Sequence, residues 1–292
     1  KFRHFKTKRY CFFKMKIIDS HQHFWYYNPK KHGWIDDSMH VLQRDFDPQD
    51  LLPIYKKNKI DGCIAVQADT SIEETSFLLS IAEMHDFVLG VVGWVDLCDP
   101  NVEKTLEQFS DKDNLKGYRH IVQDEPTGFM DRSDFRAGIK KLASYSYAYD
   151  VLIYPHQLEE AIRFVKAFPN QYFILDHLAK PYIKNKKIDL WQEHVTQLAA
   201  FDNISCKVSG IVTEANFDNW KFTDLVPYLD VITNTFGTER LLFGSDWPVC
   251  LLGGSYEAIL QIVATYFESF SQYEKEAIFY KNAQAIYQID EL

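Results

Sequence analysis

The chain has 292 residues, 46% of them hydrophobic and 15% aromatic, with a formal net charge of −9. That length suits one large domain with a full-sized core, and the acidic balance argues against a nucleic-acid partner. No apolar run reaches the roughly 18 residues of a membrane-spanning helix, so no membrane partner is expected either.

Residues 1–14 are basic and lack the long apolar stretch of a signal peptide. With Met15 as a natural start, they read as an N-terminal extension, disordered or non-native, ahead of a domain spanning 15–292. Cys11, Cys63, Cys98, Cys206 and Cys250 follow no Cys-x-x-Cys spacing and read as free thiols of a cytoplasmic protein. Short apolar runs then predict strands over 16–19, 61–67, 87–94, 115–121, 150–154, 172–176, 204–209 and 241–245. Their near-continuous apolar character fits strands buried on both faces of a parallel sheet. Amphipathic patterns predict helices between them, over 71–84, 102–110, 134–144, 158–168, 191–200, 222–235 and 256–267, with a closing helix over 274–287. Eight strands alternating with helices predict an α/β fold: a distorted (β/α)8 TIM-type barrel forming a single domain. A doubly wound open sheet competes, but its Gly-rich turn is missing, since Gly253-Gly254 has no further glycine at the required spacing. Two long connections, 24–60 and 121–133, are expected as loops on the face where barrel enzymes work.

The ends of the predicted strands carry the polar residues. Strand one ends in His21 and His23, spaced so that both imidazoles face one point. Gln67 ends strand two, Trp94 and Asp96 strand three, and Arg119 and His120 strand four. Then come Tyr154 and His156, Asp176 and His177, Lys207 and Ser209, and finally Ser245, Asp246 and Trp247. Each has an ordinary explanation alone: a hydrogen-bonded loop histidine, a turn-capping Asp246, a snorkelling Lys207, a rim pair of Arg119 with Asp124 or Glu125. Together they converge where a barrel places its active site.

At these positions the chain resembles a known family. Asp19-Ser20-His21-Gln22-His23-Phe24-Trp25, Gly117-Tyr118-Arg119-His120 with Gln123-Asp124-Glu125-Pro126, and Asp176-His177-Leu178-Ala179-Lys180-Pro181 are its landmarks. So are Cys206-Lys207-Val208-Ser209-Gly210 and Phe243-Gly244-Ser245-Asp246-Trp247-Pro248. The ordered set resembles the amidohydrolase-related lactonases, which include L-fuconolactone and L-rhamnonolactone hydrolases. The resemblance implies a distorted barrel of the amidohydrolase superfamily opening a sugar-acid lactone. Its binuclear members bridge two metals with a carbamylated lysine at the end of strand four. Here that strand ends in Arg119-His120 and Lys116 lies at its other end, which leaves one metal or none.

Opening a lactone needs an activated water, a polarised carbonyl and a proton for the leaving alkoxide. Asp246 is the expected general base, with His21, His23 and His177 around the carbonyl oxygen. The same four residues are the expected ligands where one divalent cation, Zn2+, is used; without metal, the imidazoles stabilise the oxyanion directly. Arg119, His120, Lys207 and Gln67 are candidates for substrate contacts, with Glu125 orienting Arg119. Trp25 and Trp94, with Trp34 and Trp247, suit the apolar face of a sugar ring. The alternatives are a metal-dependent decarboxylase of the same superfamily, acting on an aromatic or unsaturated carboxylic acid, and a non-catalytic barrel binding protein.

Overall fold

The computed structural model describes residues 15–291. The expected extension 1–14 lies outside the described residues. Eight strands appear in chain order: β1 Ile18–Gln22, β2 Gly62–Val66, β3 Val88–Gly93, β4 Leu115–His120, β5 Ala148–Val151, β6 Phe173–Leu175, β7 Ile204–Val208 and β8 Leu241–Phe243. Each pairs in parallel with the next, the arrangement of a (β/α)8 barrel. The seam between β8 and β1 is closed by a bridge rather than a ladder. Gln22 pairs with Trp247, His23 N–H donates to the Trp247 carbonyl at 2.7 Å, and Asp246 N–H donates to the His21 carbonyl at 2.8 Å.

Two side-chain layers follow from the strand period of two. On β7, Ile204, Cys206 and Val208 join the core shared with the helices, while Lys207 turns into the barrel. The lower interior is apolar: Ile18, Ile64, Val66, Val92, Ile174 and Leu242 pack against Tyr280, Ala283, Tyr287 and Ile289 from the C-terminal segment. That segment plugs the floor, so access to the interior is from the carboxyl ends of the strands.

Several boundaries differ from expectation. β1 extends through Gln22 instead of stopping at residue 19, because Ser20, His21 and Gln22 find partners inside the barrel; Ser20 Oγ donates to the Phe243 carbonyl at 2.7 Å. β5 begins at Ala148 and ends before residue 154, since Pro155 opens a 3-10 turn there. The connection 24–60 holds a helix that periodicity alone misses, α1 Pro48–Asn58. Asp47 caps it, accepting from Gln49 and Asp50 N–H, Asp50 reaches back to Asp47 N–H, and Pro48 takes the first helical position.

The other helices are α2 Ile72–Met84, α3 Val102–Phe109, α4 Ser133–Leu142, α5 Leu158–Ala167, α6 Asp189–Ala199, α7 Phe222–Phe236 and α8 Tyr256–Tyr266. The expected closing helix is split into α9 Gln272–Glu276, a π-turn Ala277–Lys281 and α10 Asn282–Ile286. The widened turn accommodates four consecutive buried residues, Ala277 to Tyr280. Among the described residues, no helix is long and apolar enough to cross a membrane. Cys63, Cys98, Cys206 and Cys250 are free thiols.

Candidate active site

The β8–β1 seam assembles the first half of the site. Because Asp246 N–H is tied to the His21 carbonyl and His23 N–H to Trp247, the side chains of His21, His23 and Asp246 are forced together above the strands. Asp246 adopts a left-handed φ of 57°, which turns the chain sharply after β8. His23 Nδ1 lies 2.8 Å from the Val66 carbonyl, an acceptor only, so the proton resides on Nδ1 and the Nε2 lone pair faces the mouth. That Nε2 stands 3.2 Å from His21 Nε2 and 3.4 Å from Asp246 Oδ1.

Strand six supplies the next group through an unusual turn. His177, Leu178, Ala179 and Lys180 all have left-handed φ values, from 48° to 57°. Each such L-residue costs roughly 1–2 kcal/mol, so the surrounding packing must hold the turn. The turn brings His177 Nε2 to 3.9 Å from Asp246 Oδ1, with Nδ1 at 2.9 Å from Ser209 Oγ. Gly210 is required beside it, because a Cβ there would meet His177 Nδ1 at 2.6 Å.

Beneath these groups lies a layer of buried charge. Lys207 Nζ contacts Asp150, Asp176 Oδ1 at 3.2 Å and His21 Nδ1 at 3.1 Å. Arg119 Nη1 lies 3.1 Å from Asp176 Oδ2 and 3.3 Å from His21 Nε2. Tyr287 reaches up from the floor to within 3.4 Å of Asp150. Two cations therefore match two carboxylates, as full burial demands.

This pattern sets the charge states. Burial holds the His21 imidazole well below its ordinary range despite Asp176, and burial takes His177 down to about 4, so both are neutral at pH 7. Burial pushes Asp176 upward, but Lys207, His21 and Arg119 outweigh it and keep the carboxyl well below the usual range. Burial likewise opposes Asp246 ionisation, yet His177 and His23 bring the net shift below its ordinary value. The mouth thus presents one anion, Asp246, beside the neutral imidazoles of His21 and His177.

A profile of the amidohydrolase family matches residues 18–289. The chain is 37% identical to an L-fucono-1,5-lactonase of Burkholderia multivorans over 94% of its own length and 96% of the relative's. An L-fucono-1,5-lactonase of Burkholderia ambifaria is 32% identical, with 82% of each chain covered. The crystal structure of a Burkholderia multivorans amidohydrolase with bound zinc superposes with a TM-score of 0.91 at 36% identity, covering 94% of this chain and 99% of that one. The chain belongs to the amidohydrolase family.

The donor set of this amidohydrolase fits one metal ion. The ligand atoms of His21, His23 and Asp246 all lie within 4.8 Å of one another. The His23 Nε2 lone pair stands 3.2 Å from His21 Nε2 and 3.4 Å from the Asp246 carboxylate, an arrangement that a cation relieves.

The remaining sequence candidates fall elsewhere. Adjacent residues of a strand face opposite sides, so with Arg119 turned inward His120 turns outward. Its Nδ1 accepts from Trp94 Nε1 at 3.0 Å, its Nε2 donates to Glu125 at 2.8 Å, and its ring stacks on Phe129 with centroids 4.8 Å apart. No ring nitrogen of His120 is left for a ligand in this arrangement. Glu125 therefore pairs with His120 and not with Arg119, which is too deep in the barrel to reach the rim loop. Gln67 Nε2 donates to the Arg119 carbonyl at 3.1 Å, and its own carbonyl accepts from Arg119 Nη2. Gln67 and Lys207 are both fully buried beneath the mouth. Trp25 is 1% exposed, packed edge-on against Phe46 and Trp34, and donates to the Arg44 carbonyl at 2.9 Å, so it presents no open ring face. The sequence reasoning passed over Asp150, whose signal was a carboxylate heading an otherwise apolar strand. It also passed over Lys180 and Glu214, whose Nζ and Oε1 stand 3.9 Å apart on the loops after β6 and β7.

Proposed function

We propose that this amidohydrolase opens the ring of a sugar-acid lactone, with Asp246 as the general base. The observation that carries the mechanism is the convergence of three imidazoles on one ionised carboxylate. The substrate class rests on the two L-fucono-1,5-lactonases at 37% and 32% identity.

Asp246 takes a proton from water as the water oxygen bonds to the lactone carbonyl carbon. The carbonyl pair moves onto oxygen, giving a tetrahedral oxyanion. With Ser209 donating to Nδ1, His177 directs Nε2–H at that oxyanion, and buried Arg119 and Lys207 supply positive potential from below. The ring C–O bond then breaks, and Asp246 returns its proton to the departing ring oxygen. The products are a hydroxyl and a carboxylic acid, which ionises in water. Arg119 and Lys207 act here through His21 and Asp176, while Gln67 fixes Arg119.

We assign one zinc ion to His21 Nε2, His23 Nε2 and Asp246 Oδ1, in keeping with the zinc-bound relative. Such an ion, when held there, would polarise the carbonyl and ease deprotonation of the attacking water.

A pH-indicator assay of purified protein against L-fucono-1,5-lactone and other aldonolactones, with and without chelator, tests the reading. Rapid opening of at least one sugar lactone is expected. No turnover of any lactone, with CO2 released from an aromatic or unsaturated carboxylic acid, would replace it with the decarboxylase alternative.

A further inference from the structure

The left-handed turn after β6 carries two polar side chains, and the mechanism uses only His177. The other is Lys180, three residues on, whose N–H donates to the His177 carbonyl at 2.7 Å. Its Nζ stands 3.9 Å from Glu214 Oε1 and 5.3 Å above the ring of Tyr154. The following Pro181 restricts Lys180 away from right-handed helical backbone, consistent with the turn. Both members of the pair are mostly buried, with 17% and 18% of their side-chain surfaces exposed.

The 3.9 Å gap is too wide for a hydrogen bond and suits a ligand atom between the two groups. An oxygen about 2.8 Å from each would span it at an angle near 90°, within the range a hydroxyl tolerates. A hydroxyl can accept from an ammonium and donate to a carboxylate at once, which neither a carbonyl nor an ether oxygen can do. Glu214 also lines a cavity of about 320 Å3 between residues 182–185 and 213–218, with Tyr182, Thr213 and Asn216 in its wall. Pockets of this size hold small molecules. The pair stands on the loops that leave the carboxyl ends of β6 and β7, beside Tyr154 beyond β5, on the same rim as His177. Burial pushes the Glu214 carboxyl above its ordinary value, against the pull of Lys180.

We propose that Lys180 and Glu214 are the specificity pair of this enzyme, reading a ring hydroxyl of the lactone and so selecting a polyhydroxylated ring over a bare one. The four-residue left-handed turn persists because it aims His177 at the reaction and Lys180 at the substrate's hydroxyl from one rigid element. The proposal rests on the lactonase reading above.

The test compares L-fucono-1,5-lactone with δ-valerolactone, whose six-membered ring carries no hydroxyls, in wild type, K180M, E214Q and K180R. For K180M and E214Q, kcat/KM for the sugar lactone should fall about 10- to 100-fold, mostly through KM. The preference for the sugar lactone over δ-valerolactone should fall at least tenfold, with K180R keeping part of it. Where the bare ring reacts too slowly to measure, the split between KM and kcat on the sugar lactone decides. Equal losses on both lactones, a loss confined to kcat, or no loss at all would overturn the specificity role. E214Q is isosteric and keeps the test open should K180M fail to fold, as read from its thermal transition. Wild-type failure on every sugar lactone would instead overturn the lactonase reading and leave a polyol-binding measurement, by calorimetry with the ring-opened aldonate, to judge the pair.

Discussion

Two histidine–carboxylate assemblies stand at the carboxyl ends of the strands, and they are built to opposite ends. In the first, His21, His23 and His177 surround Asp246 with contacts of 3.4 to 4.0 Å, longer than good hydrogen bonds. In the second, His120 is closed off: it accepts from Trp94 at 3.0 Å, donates to Glu125 at 2.8 Å and stacks on Phe129. The first has unused lone pairs, while the second has satisfied both ring nitrogens and pins the 121–133 loop to the barrel. A histidine at a strand end is thus no signature of chemistry by itself. What separates the two is the side of the strand from which the ring departs.

The largest effect that separates them is expected from D246N. Loss of the carboxylate should lower kcat for a sugar lactone about 1,000-fold, with little change in KM or in the thermal unfolding midpoint. Activity within tenfold of wild type would remove Asp246 from the role of base. Removal of metal comes next. Dialysis against chelator should lower the rate on the order of 100-fold, and one equivalent of zinc per chain should restore it. Full activity in metal-free protein, checked by elemental analysis, would mean that His177 Nε2–H holds the oxyanion without a metal and that His21 and His23 are not ligands.

Much of this was legible in the chain. The eight strands and the polar residues at their ends follow from apolar runs and turn chemistry, and His21, His177 and Asp246 were found because they interrupt those runs. What stayed hidden depends on side-chain direction and on distant loops. Arg119 and His120 cannot both face inward, as strand parity requires, yet sequence alone does not say which one does. The seam that binds Asp246 to His21 joins residues 225 positions apart by backbone hydrogen bonds, which carry no side-chain signature. Lys180 and Glu214 meet only because of a left-handed turn that no propensity favours. Helix α1 was within reach, since Asp47-Pro48-Gln49-Asp50 is a capping sequence masked by the aromatic segment ahead of it.

A third carboxylate sharpens the contrast by pH. Glu74, on α2, holds the loop after β2 by accepting from Ala68 N–H at 3.0 Å. Burial pushes its carboxyl up to about 7 from an ordinary 4.5. The folded chain therefore binds this proton more tightly than the unfolded chain, and ionisation opposes folding. Its contribution is fully present below about pH 4.5 and is lost as pH rises through about 7. E74Q keeps an acceptor for Ala68 and cannot ionise, so urea unfolding should find it about 2 kcal/mol more stable than wild type at pH 8 and nearly equal at pH 4. A difference independent of pH would show that Glu74 is held by packing and not limited by its charge.

The smallest effect is the most discriminating between the two histidine assemblies. E125Q retains an oxygen that can accept from His120 Nε2 but removes the charge, and the pair is partly exposed at 2.8 Å. The expected loss is about 0.5–1 kcal/mol in unfolding free energy. Sugar-lactone kcat should stay within about threefold of wild type, because His120 faces the α4 side of the strand with both nitrogens engaged. The outcome that breaks the comparison is a tenfold or greater fall in kcat with unfolding unchanged. It would require His120 to release Glu125 during turnover and swing its ring toward the substrate, making the closed assembly a second working one.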